Sequence, residues 1–200
     1  MISMQKEAGK MKIGVLSIQG GVSEHIHHIE ALGHEAIKVK NVYDIKCIDG
    51  LILPGGESTA ISKILRDSGL EILIKDRINA GIPVWGTCAG MILLAKEIEN
   101  EDKAHLAVMD IKVRRNAYGS QVDSFSKDEV IEEVSDKAIP LVFIRAPYIT
   151  GIGEGVRVVH KVDGNVVAVI QKKMLATSFH PELTKNLEFH KYFINMCMKL

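Results

Sequence analysis

Apolar positions along this chain follow one rhythm in the first half and another in the second. KIGVLSI, from Lys12 to Ile18, is a β-rich apolar run that predicts a strand, closed by the loop residues Gln19-Gly20-Gly21. Val22, Ile26, Ile29 and Leu32 then recur at helical spacing, with Gly33 placed to stop the helix. Residues 35–39 predict a short strand. Gly50 to Leu53 ends a buried one, punctuated by Pro54-Gly55-Gly56. Ser58 or Thr59 can cap the following helix, which runs to about Leu65. A second helical stretch covers Leu70 to Ala80 and stops at Gly81; Pro83-Val84-Trp85 predicts a strand, and Ala89 to Ile98 another helix.

Repeated strand–helix–strand units imply a parallel sheet with helices on both faces. Ligands in such sheets bind beyond the carboxyl ends of the strands. The loops at Gln19-Gly20-Gly21, Pro54 to Ser58 and Gly86 to Gly90 all follow predicted strands, so they are expected to gather on one edge.

The second half reads mainly as strands, at residues 108–113, 141–144, 156–162, 166–170 and 175–179, with Asp163-Gly164 as a hairpin signal. Thr184 to Leu200 predicts a closing helix. The expected fold is α/β: one three-layer αβα domain over residues 11–200, with a mostly parallel sheet and antiparallel additions. The polar residues 1–10 read as a flexible lead-in, with Met4 or Met11 as alternative starts.

Charge and cysteine content narrow the partners. Lys+Arg and Asp+Glu balance at 25 each, leaving no basic excess to grip a phosphate backbone, so nucleic acid is not expected. No apolar run reaches the roughly 18–20 residues of a membrane span, and the first ten residues lack a signal peptide's apolar stretch. Cys47, Cys88 and Cys197 are too few and too scattered for a disulfide framework, which points to a reducing, cytoplasmic compartment.

Gly86-Thr87-Cys88-Ala89-Gly90, between a strand and a helix, has the form of a nucleophile elbow. The sharp turn presents the nucleophile to a cleft, and the helix N-terminus behind it favours a thiolate. The amide of Ala89 is the expected oxyanion donor. A lone cysteine is more often a small buried hydrophobe; the flanking glycines decide against that for Cys88, while Cys47 and Cys197, without such context, are read as structural. A thiol near its free pKa of ~8.5 needs a base. His180, in Ser178-Phe179-His180-Pro181-Glu182, is the candidate, although any one of the eight histidines could be structural. In an extended segment Glu182 shares a face with His180 and can orient its ring. Pro54 to Ser58 supplies a second wall, with the amide of Gly56 as second oxyanion donor; a plain capped turn fits that sequence equally well. A phosphate loop does not, because the closing Gly-Lys-[Ser/Thr] is absent.

These three pieces, in this order, resemble the class I (triad) glutamine amidotransferases. Gln19-Gly20 with Glu24-His25, LPGGEST, GTCAG, Arg115-Asn116 with Gly119 and Gln121, Asp123-Ser124-Phe125, FIRAP at residues 143–147 and SFHPEL further resemble the glutaminase subunits of pyridoxal 5'-phosphate synthases. The likeness extends from Met11 onward and makes residues 11–200 a glutaminase domain. It implies a triad of Cys88, His180 and Glu182, and L-glutamine held by Gly56, Glu57, Ser58, Arg115, Ile144 and Arg145. The residues alone leave Arg114, Arg115 and Arg145 equally readable as solvated charges. The resemblance also implies hydrolysis of L-glutamine to L-glutamate and ammonia, with the ammonia passed to a synthase subunit that makes pyridoxal 5'-phosphate (vitamin B6). It implies little activity without that partner, through a backbone flip in Pro54-Gly55-Gly56 relayed by residues 19–21, and neither pyridoxal phosphate nor a metal bound to this chain. The alternatives are the glutaminase subunit of another amidotransferase, a different cysteine hydrolase, and a catalytically silent regulatory subunit. Chain order disfavours an α/β-hydrolase, whose acid precedes its histidine.

Overall fold

The computed structural model describes residues 9–116 and 124–199. Most of the lead-in, the motif positions Gly119, Gln121 and Asp123, and the terminal Leu200 lie outside the described residues.

The first half delivers the expected units: strand β1 (Lys12–Leu16), helix α1 (Val22–Ala31), β2 (Glu35–Val39), β3 (Gly50–Leu53), α2 (Ser58–Asp67), α3 (Leu70–Asn79), β4 (Val84–Thr87) and α4 (Ala89–Leu94). β5 (Ala95–Ile98) and β6 (Met109–Arg114) follow, then β7 (Ser124–Ile131), β8 (Ser135–Ile144), β9 (Tyr148–Ile152), β10 (Arg157–Val162), β11 (Asn165–Gln171), β12 (Met174–Thr177) and α5 (Glu188–Met198).

The main sheet runs β2-β1-β3-β4-β12-β11-β9-β6-β5, with β10 paired to β11. The segment from β2 to β12 is parallel throughout. Antiparallel pairing begins at β11. Alternation along the strands builds two cores: Leu51 and Leu53 face α2, α3 and α4 with Ile61, Leu65 and Ile74, while Ile52 faces the other side with Trp85, Phe189 and Phe193. The second side is covered by α1, α5 and the separate β7–β8 hairpin, whose Leu141 and Phe143 join that core. This is the expected three-layer α/β arrangement.

Four local expectations are corrected. The helix predicted to reach Ile98 stops at Leu94, because Ala95 takes extended dihedrals (φ −61°, ψ 138°) and pairs in parallel with Met109. Ser58 does not cap α2: it opens the helix, the cap position is Glu57, and no side-chain cap bond forms there. The closing helix starts at Glu188 rather than Thr184; Asn186 Oδ1 accepts from the Glu188 amide at 2.9 Å and sets that start. Cys47 lies exposed on a 3-10 turn and is no core residue, whereas Cys197 is buried, and that burial pushes its thiol up to about 12.

Besides β5, two strands were not foreseen. β7 is mostly polar and alternates between half-buried and exposed positions, and β9 is a short Gly-containing strand.

Candidate active site

Strand order explains why distant residues converge. β4 and β12 lie side by side in parallel, with Thr87 opposite Thr177, so whatever follows each strand emerges at the same sheet edge. Cys88 follows β4 and His180 follows β12 by three residues.

Cys88 adopts φ 49° and ψ −105°, a conformation that costs a non-glycine residue ~1–3 kcal/mol. The turn is held by its own amide, which donates to the Thr177 carbonyl at 2.8 Å. Gly90 allows the helix to close on the sheet: a Cβ there would stand 2.0 Å from the Leu53 carbonyl oxygen. The result is a cysteine 8% exposed, on a cavity of about 460 Å³.

The ring of His180 lines the same cavity as Cys88. Its Nδ1 is 2.8 Å from Glu182 Oε1. Burial alone would lower the imidazole pKa, but the hydrogen bonds to Cys88 and Glu182 outweigh it and push the ring up to about 10. An imidazolium therefore lines the cavity at neutral pH. The geometry of the pair differs from the expectation. His180 and Glu182 do not share a strand face; β12 ends at Thr177 and Pro181–Leu183 forms a 3-10 turn. The tight turn, with proline at its first position, folds the carboxylate back onto the ring.

Glu182 is 3% exposed. Burial works against its charge, yet the neighbouring His25 and the bond to His180 hold the carboxyl below the usual carboxylate range. Gly21 leaves the space it occupies: a Cβ there would sit 2.9 Å from Glu182 Cγ and 3.0 Å from Oε1.

The opposite wall carries Gly56, Glu57, Ser58, Ala89 and Arg115. The amide of Glu57 donates to Gln19 Oε1 at 2.8 Å, so the loops at 54–58 and 19–21 are joined, as their position after β3 and β1 predicts. Arg115 Nη2 bonds Glu57 Oε1 at 2.5 Å and Nη1 bonds Glu101 Oε1 at 2.9 Å. Burial would lower its pKa, but those carboxylates raise it further. Ser58 Oγ is buried beside the cavity without a hydrogen-bond partner. Ile144 and Arg145 form the rim, Arg145 with φ 43°. The Ile144 carbonyl lies 3.9 Å from Cys88 Sγ.

The cavity thus brings together a thiol, an imidazole–carboxylate pair, a guanidinium and an unpartnered hydroxyl, and its size suits a small polar molecule. The SNO glutamine amidotransferase family matches the sequence over residues 15–199. The chain belongs to that family. Among its relatives, a "Pyridoxal 5'-phosphate synthase subunit PdxT" from Clostridium kluyveri is 57% identical over 187 residues, covering 94% of this chain and 100% of the relative. A protein of the same description from Clostridium acetobutylicum is 55% identical over 186 residues, covering 93% of this chain and 100% of the relative. A crystal structure of a glutamine amidotransferase superposes with a TM-score of 0.88 at 41% identity, covering 93% of this chain and 98% of that one.

Some neighbours of the site in this family member were not singled out from the sequence. Ile92 lines the cavity, as do Asn116 and Pro147, which the motif likeness contains without a role. His25, present in the motif likeness but given no role, is fully buried with Nε2 3.6 Å from Glu182 Oε2. Its helical position gave no signal beyond an amphipathic pattern; the contact depends on where the distant 3-10 turn lands. Arg114 turns away from the cavity and pairs with Glu99 and Tyr148. Among the described residues, no group of three or more His, Cys, Asp or Glu side chains is arranged to hold a metal ion.

Proposed function

We propose that this chain is a glutaminase subunit of pyridoxal 5'-phosphate synthase, hydrolysing the side-chain amide of L-glutamine through Cys88, His180 and Glu182 and handing the ammonia to a synthase subunit. The observation that carries the chemistry is the His180 ring, which shares one cavity with Cys88 and stands 2.8 Å from Glu182 Oε1. The choice of synthase rests on the close relatives described as pyridoxal 5'-phosphate synthase subunits.

The Cys88 thiolate attacks the amide carbon of glutamine, and the carbonyl electrons move onto oxygen. The amides of Gly56 and Ala89 receive that oxyanion. One such donor typically contributes roughly 3–4 kcal/mol of transition-state stabilisation. His180 gives its proton to the departing nitrogen, so the C–N bond breaks as ammonia and a thioester remains. The neutral ring then takes a proton from water, whose oxygen attacks the thioester; glutamate leaves and the thiolate–imidazolium pair is restored. Glu182 sets the ring's tautomer and supports its positive form. Arg115 exchanges its bond to Glu57 for the substrate carboxylate, which frees Glu57 to accept from the substrate ammonium, while Ser58, Ile144 and Arg145 complete the wall.

Ammonia released into neutral water is protonated and loses its nucleophilicity, so its transfer calls for a docked partner. The Gln19–Glu57 bond supplies a route for that partner to act on the Gly56 amide: contact at residues 19–21 shifts the loop at 54–58. The test is glutamate release with and without the synthase subunit, in the wild type and in Cys88→Ala. The proposal expects strong stimulation by the partner and none in Cys88→Ala. Unchanged release in Cys88→Ala would overturn the triad, and equal rates with and without synthase would overturn partner activation.

A further inference from the structure

Beneath the candidate triad lies a row of histidines to which the reaction gives no task. His25 and His190 are fully buried, and His28 nearly so. His25 Nδ1 is 2.8 Å from His190 Nε2, and His190 Nδ1 is 3.1 Å from His28 Nδ1. At the other end, His25 Nε2 is in ion-pair range of Glu182 Oε2, at 3.6 Å, and that oxygen is buried without a hydrogen-bond partner. The spacings are those of ring nitrogens bonded directly to one another, which leaves no room for an ion between them.

Proton counting gives this row two possible directions, and the group facing His25 Nε2 decides between them. A neutral imidazole has one N–H and one bare nitrogen. If His25 carried its proton on Nδ1, its bare Nε2 would point a lone pair at the Glu182 carboxylate. The reverse assignment puts the proton on Nε2, facing the carboxylate, and leaves Nδ1 to accept from His190 Nε2–H. His190 Nδ1 is then bare and accepts from His28 Nδ1–H. Both ring–ring bonds are then satisfied by three neutral rings, with the N–H groups that make them pointing toward Glu182. The charged or titratable groups around His25 are Glu182, His28, His180 and Glu24, with the Thr87 hydroxyl 3.5 Å from Nε2. The Thr87 hydroxyl can also accept from Nε2 or donate to it, but Glu182, at 3.6 Å, is the anion that an N–H there faces. Burial disfavours protonation of all three rings, consistent with neutral donors.

We propose that His25, backed by His190 and His28, is a positioning residue for the reaction: its Nε2–H fixes the second oxygen of Glu182 and so keeps the first aimed at His180. This rests on the triad reading above. Without His25, the buried second oxygen of Glu182 loses the ring that faces it at 3.6 Å, and the carboxylate's support for the His180 cation weakens.

The first measurement needs no substitution. Ring nitrogen NMR of the intact chain at neutral pH should show His25 protonated at Nε2 and bare at Nδ1; the opposite tautomer overturns the proposal. The second measures the pH dependence of iodoacetamide alkylation at Cys88, read by peptide mass spectrometry, alongside kcat and KM of the chain assembled with its synthase subunit. His25→Leu should slow Cys88 alkylation near neutral pH by about tenfold, the size of a shift of one pKa unit, and lower kcat with KM for glutamine little changed. His25→Gln, whose amide can place an N–H near the same point, should recover much of both losses. Wild-type behaviour in folded His25→Leu, or equal damage in His25→Gln, overturns the proposal. Failure of the glutaminase reading itself would look different, as wild-type chain that releases no glutamate with the synthase present.

Discussion

The amide of Cys88 donates to the carbonyl of Thr177 at 2.8 Å. That single bond joins the turn after β4 to the end of β12, from which the chain needs only three residues to reach His180. The candidate nucleophile and base are thus set by a backbone ladder rather than by flexible side chains, which is how a strained Cys88 is held in place without a bound substrate. The consequences can be measured.

Gly21→Ala should damage turnover without unfolding the protein. The added methyl would stand 2.9 Å from Glu182 Cγ, so the carboxylate must move away from His180. A displacement near 1 Å in a catalytic group costs up to roughly a hundredfold. Steady-state kinetics should show the loss in kcat, with KM for glutamine close to wild type.

Arg115→Ala should act on binding instead. Loss of a charge-assisted bond worth ~1.5–3 kcal/mol predicts KM for glutamine raised by about ten- to a hundredfold, with a smaller effect on kcat. A glutamine titration of initial rates separates the two.

Ser58→Ala should leave the free protein as stable as before or slightly more so, because the Ser58 hydroxyl is buried without a partner. The same change should raise KM if that hydroxyl is completed by substrate. Urea unfolding and initial-rate kinetics on one preparation test both halves.

Stability should fall on both sides of neutrality, for opposite reasons. His25 has a folded pKa of about 4 against 6.5 unfolded, so between those values the unfolded chain takes up a proton that the folded one refuses. Its contribution is full above pH 6.5 and is lost as pH falls toward 4, roughly 3 kcal/mol in all. His180 is raised to about 10, so the stability it adds is full below pH 6.5 and is lost as pH rises through 10. Urea titrations followed by the fluorescence of Trp85, which is buried, should show both slopes. His25→Leu flattens the acid side and His180→Asn the alkaline side.

Local chemistry made much of this legible. The strand-to-helix turn at GTCAG and the early βαβ units each carry their own signal, and strand order then brings their loops together. What stayed hidden depends on distant partners. AGMILLAKEI is a run of good helix formers, yet Ala95 leaves the helix because β6 offers a parallel edge. β7, with Lys127, Asp128 and Glu129, is stabilised by pairing with β8 rather than by an apolar pattern of its own. Glu182 was paired with His180 by spacing, but through a 3-10 turn instead of a strand face. The buried contacts of His25 with Glu182 and His190 join three separate segments, so no local pattern could announce them.

The most direct test is covalent. A glutamine analogue carrying an electrophilic carbon in place of the amide should label the chain once when the synthase subunit is present. Peptide mass spectrometry should put that label on Cys88, with its rate sharply reduced in His180→Asn. Glutamate release that continues with Cys88 unlabelled, or a label on another residue that abolishes activity, would contradict the account.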